Sequence, residues 1–228
     1  MNIITDITNI EHDKNYFLKT TFYVTYTLLL TTAVITFIEA IRTPNAKIRH
    51  ILNLETCISC IAGYFYSVFL TKINDKNLNW KTITETRYID WCITTPLMLL
   101  ALCLVLSMNV NKVVQLKIIG SVVLLNYVML YFGYLGERKS INRIFATIFG
   151  FIAFFLMFLI IYLNYVKPKY STANYILFGI YFTVWSLYGV VYLFDEEYKN
   201  SITNILDLTS KCFMGIGLWI YYTNTIYI

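Results

Sequence analysis

Seven long apolar stretches, separated by short polar connections, make up most of the 228-residue chain. Each stretch reaches about 20 residues, the length that an α-helix needs to cross the hydrocarbon core of a bilayer. The pattern predicts transmembrane helices at 16–42, 48–72, 85–108, 112–136, 141–165, 173–195 and 201–225. Turn-forming and charged residues fill the connections, and none of these is long enough to hold a second domain. We therefore expect an all-α membrane protein, with one seven-helix bundle over 16–228 and an N-terminal tail over 1–15 that lies outside the cell.

Composition supports a chain that lies in lipid. Hydrophobic residues make up 58% of it and charged residues 14%, whereas about a quarter of the residues in a soluble domain are charged. The formal net charge is +5, but the basic residues lie at the ends of the apolar stretches, so we expect no nucleic-acid partner. Cys57 and Cys60 form a C-x-x-C pattern inside an apolar stretch, where thiols behave as small hydrophobes, and we expect no metal site.

The distribution of acids and bases predicts the orientation, although counts of Lys and Arg alone do not distinguish the two sides. The connections after the first, third and fifth stretches contain several basic residues and no acidic ones. On the opposite side, basic residues are mixed with acids such as the run Asp195, Glu196 and Glu197. By the positive-inside rule we expect the N-terminus outside and the C-terminus in the cytoplasm.

A few ionisable residues lie well inside the predicted helices: Glu55, Arg87, Asp90, Asp207 and Lys211. A charge at the bilayer centre costs about 2.5–3.5 kcal/mol or more, so we expect these groups to pair around a buried site. Arg87 and Asp90 are three residues apart and Asp207 and Lys211 are four apart, so each pair shares a helix face. If the third and seventh helices meet, one lysine faces two carboxylates and an arginine. A structural ion pair that only locks helix packing is the plainer alternative.

Aromatic residues accompany these charges. In the predicted sixth helix, Trp185, Tyr188, Gly189 and Tyr192 have the spacing of a single helical face, and Trp91 lies in the third helix. Such a face most often serves packing alone. Opposite a buried lysine, the same aromatic side chains would instead form the walls of a pocket for a flat, extended, apolar ligand.

Four motifs resemble those of microbial (type 1) rhodopsins: RYIDWCITTPL, VMLYFGYLGE, WSLYGVVY and LDLTSK. The second of them is most similar to proteorhodopsin, and the Ile-, Asn- and Tyr-rich composition is similar to giant-virus rhodopsins. The resemblance implies a seven-helix bundle with all-trans retinal in its core, bound as a protonated Schiff base to Lys211. It also implies a trimer or pentamer in the plasma membrane that moves protons or monovalent cations and is not an enzyme.

The resemblance assigns roles to individual residues. Asp90 would be the counterion and first proton acceptor, Asp207 the second counterion, and Arg87 the gate toward the outside. Thr94 would hydrogen-bond the acceptor, and an apolar Met98 at the spectral-tuning position implies green rather than blue absorption. The residues implied to surround retinal are Tyr88, Trp91, Thr95, Met98, Asn126, Met129, Trp185, Tyr188 and Tyr192, with Asn126 as the polar partner of Thr95.

The chain departs from the family pattern at the cytoplasmic proton donor, because pumps usually have a carboxylate where Ala101 stands here. Glu55 on the second helix lies at a comparable depth, and a carboxylic acid in apolar surroundings stays protonated, as a donor must. We therefore hypothesise an outward light-driven proton pump in which Glu55 resupplies the proton. A light-gated cation channel is the first alternative, since channelrhodopsins also have second-helix glutamates. A photosensor that signals to a separate transducer is the second.

Overall fold

The seven predicted helices are all present in a computed structural model, which describes the backbone of residues 2–75 and 78–223 and the side chains from residue 16 onward in these ranges. The first six are α1 (Asn2–Arg42), α2 (Ala46–Ile73), α3 (Trp80–Asn109), α4 (Leu116–Glu137), α5 (Arg143–Ile161, continued by a π-helical turn, Tyr162–Val166) and α6 (Thr172–Val191). The seventh, α7, has three consecutive parts: Glu196–Asp207, a π-helical part Leu208–Phe213, and Met214–Thr223.

The helix ends differ from the predicted ends by a few residues, and by more at the N-terminus. Helix α1 begins at Asn2, so the backbone of most of the predicted tail continues this helix; Met1 and the side chains of 1–15 lie outside the described residues. Helix α4 begins at Leu116 instead of 112. The reason is local, because Asn111 adopts a φ of 55° beyond the end of α3, and this left-handed conformation stops the helical path.

Asparagines define where three of the helices begin. Asn45, Asn79 and Asn142 precede α2, α3 and α5, and each side-chain oxygen accepts a hydrogen bond from the main-chain N–H two residues later, at 2.8–3.0 Å. Such a cap satisfies one of the N–H groups that the first turn of a helix leaves without a partner.

The described helices form a bundle that suits a bilayer. Six of them, α1 to α6, are long and apolar enough to cross a membrane by themselves. Large apolar side chains such as Ile148, Ile152 and Phe155 are exposed on the outer face of α5. Polar side chains such as Asn204 and Asp207 are buried in the interior, on α7. This arrangement of apolar surface and polar core is that of an integral, multi-pass membrane protein.

Pro96 interrupts the hydrogen bonding of α3 and is compensated by a neighbouring helix. Proline has no N–H, so the main-chain carbonyl of Cys92 has no partner within α3. The hydroxyl of Tyr127 on α4 donates to this carbonyl at 3.1 Å. The contact joins the two helices beside the site described below.

Candidate functional site

The side-chain nitrogen of Lys211 lies inside the bundle between two carboxylates. It donates a hydrogen bond to Oδ2 of Asp90 at 2.9 Å and lies 3.6 Å from Oδ1 of Asp207. The two aspartates are fully buried and Lys211 is 1% exposed. The structure thus brings together the charged residues of α3 and α7, as expected if the third and seventh helices meet.

Lys211 belongs to the π-helical part of α7, Leu208–Phe213. A π-helical turn contains more residues than an α-helical turn, and such turns recur at functional sites. Here three consecutive residues, Ser210, Lys211 and Cys212, are all buried. The wider turn therefore allows the lysine and both its neighbours to face the interior.

Asp207 is surrounded by hydrogen-bond donors. The hydroxyl of Tyr188 lies 2.8 Å from its Oδ1, and the hydroxyl of Tyr66 lies 2.8 Å from its Oδ2. The guanidinium of Arg87 reaches the same Oδ2 at 3.3 Å. Asp90 differs, because its Oδ1 has no hydrogen-bond partner among the described residues. Asp207 is thus stabilised as a carboxylate, whereas Asp90 keeps an oxygen that can accept a proton.

Arg87 points away from Lys211 into a polar group of α7 residues. Its NH2 nitrogen donates to the side-chain oxygens of Asn200 at 3.1 Å and Asn204 at 2.9 Å. Sequence reasoning did not identify either asparagine or Tyr66. For the asparagines a signal was present, because residues 200, 204, 207 and 211 have the spacing of one helix face. No such signal separates Tyr66 from the other tyrosines of the chain.

Two threonines of α3 were expected to make specific contacts. The Thr94 hydroxyl donates at 2.9 Å to the main-chain carbonyl of Asp90, not to its carboxylate. A threonine side chain in a helix lies over the carbonyl four residues earlier, which explains the difference. The structure does bring Asn126 to Thr95, with the amide nitrogen donating to the Thr95 hydroxyl at 2.8 Å.

A cavity extends from Lys211 between the helices. It is lined by eight of the nine residues that were expected to surround a ligand: Tyr88, Trp91, Thr95, Met98, Met129, Trp185, Tyr188 and Tyr192. Asn126, the ninth, is not among the lining residues and contacts Thr95. Arg87, the expected gate, also lines the cavity. Leu130, Phe151 and Phe154 also line it and were not expected. The walls are mainly aromatic and apolar, and the ring of Trp91 stands edge-on to that of Tyr188 with centroids 5.7 Å apart. An elongated apolar molecule joined to the Lys211 nitrogen fits these walls.

Ion pairs that sequence reasoning missed lie at the end of this cavity. The Lys199 nitrogen lies 2.9 Å from both Glu137 and Glu196, and Arg143 reaches Glu137 at 3.4 Å. Glu137 and Lys199 line the cavity together with Arg87. We call this end of the bundle the Arg87 side.

Glu55 lies on the side of Lys211 that faces away from Asp207 and the Arg87 side, and it is 2% exposed. A Cβ atom added to Gly215 would lie 3.2 Å from its Oε2, so the carboxyl group adjoins α7 one turn beyond Lys211. Asp207 lies one turn before Lys211 on the same helix. We call the end of the bundle that contains Glu55 the Glu55 side.

Comparison with known proteins identifies the family of the chain. A family model described as bacteriorhodopsin-like protein matches residues 17–225. The chain belongs to the bacteriorhodopsin-like family. Rhodopsins of this family contain a retinal chromophore and are pumps, channels or sensors, so the chain is a light-driven rhodopsin that lies in lipid.

Relatives of this bacteriorhodopsin-like protein include both bacterial and viral rhodopsins. A green-light absorbing proteorhodopsin from Gamma-proteobacterium EBAC31A08 is 26% identical over 225 residues, which cover 91% of this chain and 87% of that protein. The crystal structure of the viral rhodopsin OLPVRII is 42% identical, covers 92% of this chain and 99% of its own, and has a TM-score of 0.87. The proton pumping rhodopsin AR2 from the marine alga Acetabularia acetabulum shares the fold, with 21% identity, coverage of 91% and 95%, and a TM-score of 0.75.

Proposed function

We propose that the protein is a light-driven outward proton pump. One observation carries this proposal: buried carboxyl groups lie on opposite sides of the Lys211 nitrogen. Asp90 contacts the nitrogen toward the Arg87 side at 2.9 Å, and Glu55 adjoins α7 one turn beyond Lys211 toward the Glu55 side. A pump needs a proton acceptor on one side and a donor on the other, each within reach at a different step.

The cavity residues would hold the chromophore. All-trans retinal, bound to Lys211 as a protonated Schiff base, would supply light absorption and a nitrogen that holds its proton less tightly after absorption. Trp91, Trp185 and Tyr188 would enclose it, and Asn126 would fix Thr95 beside it. The apolar side chain of Met98 in the cavity wall supports green absorption.

Asp90 then accepts the proton. Its free Oδ1 leaves room for a new O–H bond, while the donors around Asp207 keep that second carboxylate charged. Neutralising Asp90 leaves Asp207 as the main anion for Arg87 and so redistributes charge toward the Arg87 side. The mixed acids and bases of the connections on this side support its placement outside the cell, with the N-terminus outside.

Glu55 returns a proton to the nitrogen from the other side. Beyond it, a buried apolar cluster of Ile51, Val105 and Leu218 separates Glu55 from the end of the bundle. A continuous water path through this cluster requires its side chains to move apart, as a channel would need and a pump would not. A light-gated cation channel is the second candidate, favoured by the position of Glu55 on α2 and by the uncharged Ala101 on α3.

Voltage-clamp recording of cells that express the protein and are supplied with retinal separates the two candidates. A pump gives outward photocurrent at every holding voltage, because its current does not depend on the sign of the ion gradient. A channel gives a photocurrent that reverses sign near the equilibrium potential of the permeant cation. Reversal would overturn the proposal.

The role of Glu55 is tested separately by Glu55→Gln. After a flash, we expect the Lys211 nitrogen to regain its proton roughly a hundredfold more slowly, as for loss of a general acid, and azide to restore part of the rate. Glu39→Gln is the matched control, since Glu39 is a partly buried carboxylate on α1 that pairs with Arg42 at 3.9 Å. Unchanged kinetics in Glu55→Gln would remove Glu55 from the mechanism.

The assembly state and the cell membrane stay predictions. We propose a trimer or pentamer in the plasma membrane, with 1–15 outside. Mass measurement in detergent or nanodiscs checks the number of subunits.

A further inference from the structure

Three buried oxygen atoms on the Glu55 side have no hydrogen-bond partner among the described residues: Oγ1 of Thr32, Oε1 of Glu55 and Oγ of Ser59. Thr32 and Ser59 are fully buried and Glu55 is 2% exposed. A buried polar group without a partner costs about 1–3 kcal/mol, so three in one place need an explanation. The thiol of Cys212 also borders Thr32, but a thiol is only a weak hydrogen-bonding group.

The register of α1 against α2 brings the two hydroxyls together. The Thr36 and Thr56 hydroxyls lie 2.9 Å apart, and a Cβ added to Gly63 would meet Leu30 at 3.1 Å. Because the chain reverses direction between these helices, the same register sets Thr32 opposite Ser59. Ser59 lies one turn from Glu55 on α2, at about 6 Å of helical rise toward the Arg87 side.

A glycine on α7 lets that helix pack closely against this group. A Cβ at Gly215 would lie 3.0 Å from Cγ2 of Thr32 and 3.2 Å from Oε2 of Glu55, which is tighter than ordinary van der Waals contact. The Thr32 and Glu55 side chains therefore meet where α1, α2 and α7 come together, one turn from the lysine.

We propose that Thr32, Ser59 and Glu55 hold an internal water molecule that relays the Glu55 proton toward Lys211. A buried water makes about two to four hydrogen bonds, and the three oxygens supply that number. Hard metal cations take about six or more oxygen ligands, which is more than this group offers. The relay rests on the proposed pump function, whereas the water site does not.

The position of Ser59 gives the relay a direction. Ser59 is nearer than Glu55 to the level of Lys211, and the Ile51, Val105 and Leu218 cluster closes the other direction. The O–H bond of the Glu55 carboxyl breaks as the water accepts its proton, and the water gives up one of its own protons toward the nitrogen. One proton moves in total, the water is regenerated, and Glu55 is left as a carboxylate to be refilled later from the Glu55 side.

Light-induced infrared difference spectra of the retinal-bound protein test the site. The carboxylic C=O band of Glu55 is identified by its loss in Glu55→Gln. We expect Thr32→Val and Ser59→Ala each to shift this band to higher frequency, because the carboxyl group loses its hydrogen-bonded water. We also expect Ser59→Ala to slow proton return to the nitrogen by about fivefold, the effect of one hydrogen bond.

Hydroxyls that already have partners supply the controls. Thr31 donates to its own helix at 2.9 Å and Ser67 at 2.6 Å, and neither side chain is buried. Thr31→Val and Ser67→Ala should leave both the band and the rate unchanged. Gly215→Ala should press on the Thr32 and Glu55 side chains and shift the band, whereas Gly217→Ala, whose added Cβ meets nothing within 4 Å, should not.

A crystal structure that resolves water supplies a readout independent of turnover. We expect density within hydrogen-bonding distance of all three oxygens, and none in Thr32→Val. Absence of water density among the three oxygens, or a C=O band that moves in neither hydroxyl variant, would overturn the water site. A sodium-dependent carboxylate band in place of the C=O band would also overturn it and identify a cation site. If Glu55→Gln leaves proton return unchanged, the relay is excluded. The water site still stands in that case if Thr32→Val and Ser59→Ala shift the Glu55 band.

Discussion

The two aspartates beside Lys211 are chemically unequal. Both are fully buried and both lie within 3.6 Å of the lysine nitrogen. Asp207 is surrounded by two tyrosine hydroxyls and a guanidinium, whereas Lys211 is the only hydrogen-bond partner of the Asp90 side chain among the described residues. The difference lies in the donors that surround each carboxylate, and it supports the proposal that Asp90 is the proton acceptor.

Tyr66→Phe tests this inequality. The variant removes one of the donors to Asp207, and losing a hydrogen bond to a buried charge costs about 1.5–3 kcal/mol. We expect the retinal-bound protein to lose its visible absorption at a lower temperature. Tyr64→Phe is the matched control, because Tyr64 is 65% exposed on the same helix and should leave the midpoint unchanged. Equal midpoints in the two variants would contradict the role of Tyr66.

At the scale of whole helices, glycines on α4 allow tyrosines to approach. A Cβ added to Gly133 would lie 2.6 Å from the Tyr88 hydroxyl, and one added to Gly136 would overlap the Tyr192 hydroxyl. Tyr192 also donates to the main-chain carbonyl of Gly133 at 3.0 Å. The absence of side chains at these positions therefore lets α3 and α6 pack against α4 at one end of the cavity.

Gly136→Ala should destabilise the protein. Its new methyl group meets the Tyr192 hydroxyl and lies 2.6 Å from Cβ of Ala146, and overpacking of this kind costs about 1–3 kcal/mol. Gly120→Ala on the same helix meets nothing within 4 Å and should stabilise by about 0.5–1 kcal/mol, the usual gain of Ala over Gly in a helix. Thermal denaturation should show a lower midpoint for Gly136→Ala and a higher one for Gly120→Ala. A rise in both midpoints would show that Tyr192 moves aside without strain.

Over the whole molecule, the two sides of Lys211 differ in polarity. On the Arg87 side, a polar group leads from Asp207 through Arg87 to Asn200 and Asn204. On the Glu55 side, one carboxyl group and two hydroxyls are closed off by an apolar cluster. In the proposed pump, this asymmetry would give proton release and proton uptake separate routes, as transport in one direction requires.

The Glu137 and Lys199 pair links helices that are distant in sequence, and we expect Lys199→Met to destabilise the protein. The side chains are 7% and 10% exposed, and leaving one charge of a buried pair uncompensated costs up to about 3–5 kcal/mol. The loss should be smaller here, because Arg143 still reaches Glu137 at 3.4 Å. The thermal midpoint should fall in Lys199→Met but not in Lys81→Met, where the lysine is exposed.

The double variant Glu137→Gln with Lys199→Met separates pairing from packing. In Lys199→Met the buried Glu137 carboxylate is paired only with the 36% exposed Arg143 among the described residues. Removing the Glu137 charge should therefore restore part of the lost stability. A double variant no more stable than Lys199→Met alone would mean that the lysine acts by filling space.

The sequence by itself determined the seven helices and the pairs of charges that share a helix face. Helix length and side-chain spacing follow from backbone geometry, so apolar runs predicted α1 to α7, and the spacing of Asp207 and Lys211 predicted their common face. The aromatic face of α6 was predictable for the same reason, and Trp185, Tyr188, Gly189 and Tyr192 all line the cavity.

The tertiary structure decided contacts across helices that residue spacing does not predict. Spacing does not distinguish Tyr66 among 20 tyrosines. It also does not separate Asp90, whose Oδ1 has no partner among the described residues, from Asp207, and only the resemblance to microbial rhodopsins gave these two residues different roles. The setting of Thr32 against Ser59 also depends on the register of α1 and α2. Contacts within a helix are fixed by a local repeat, whereas contacts between helices depend on how all their side chains pack at once, and this packing determined the chemistry around Lys211.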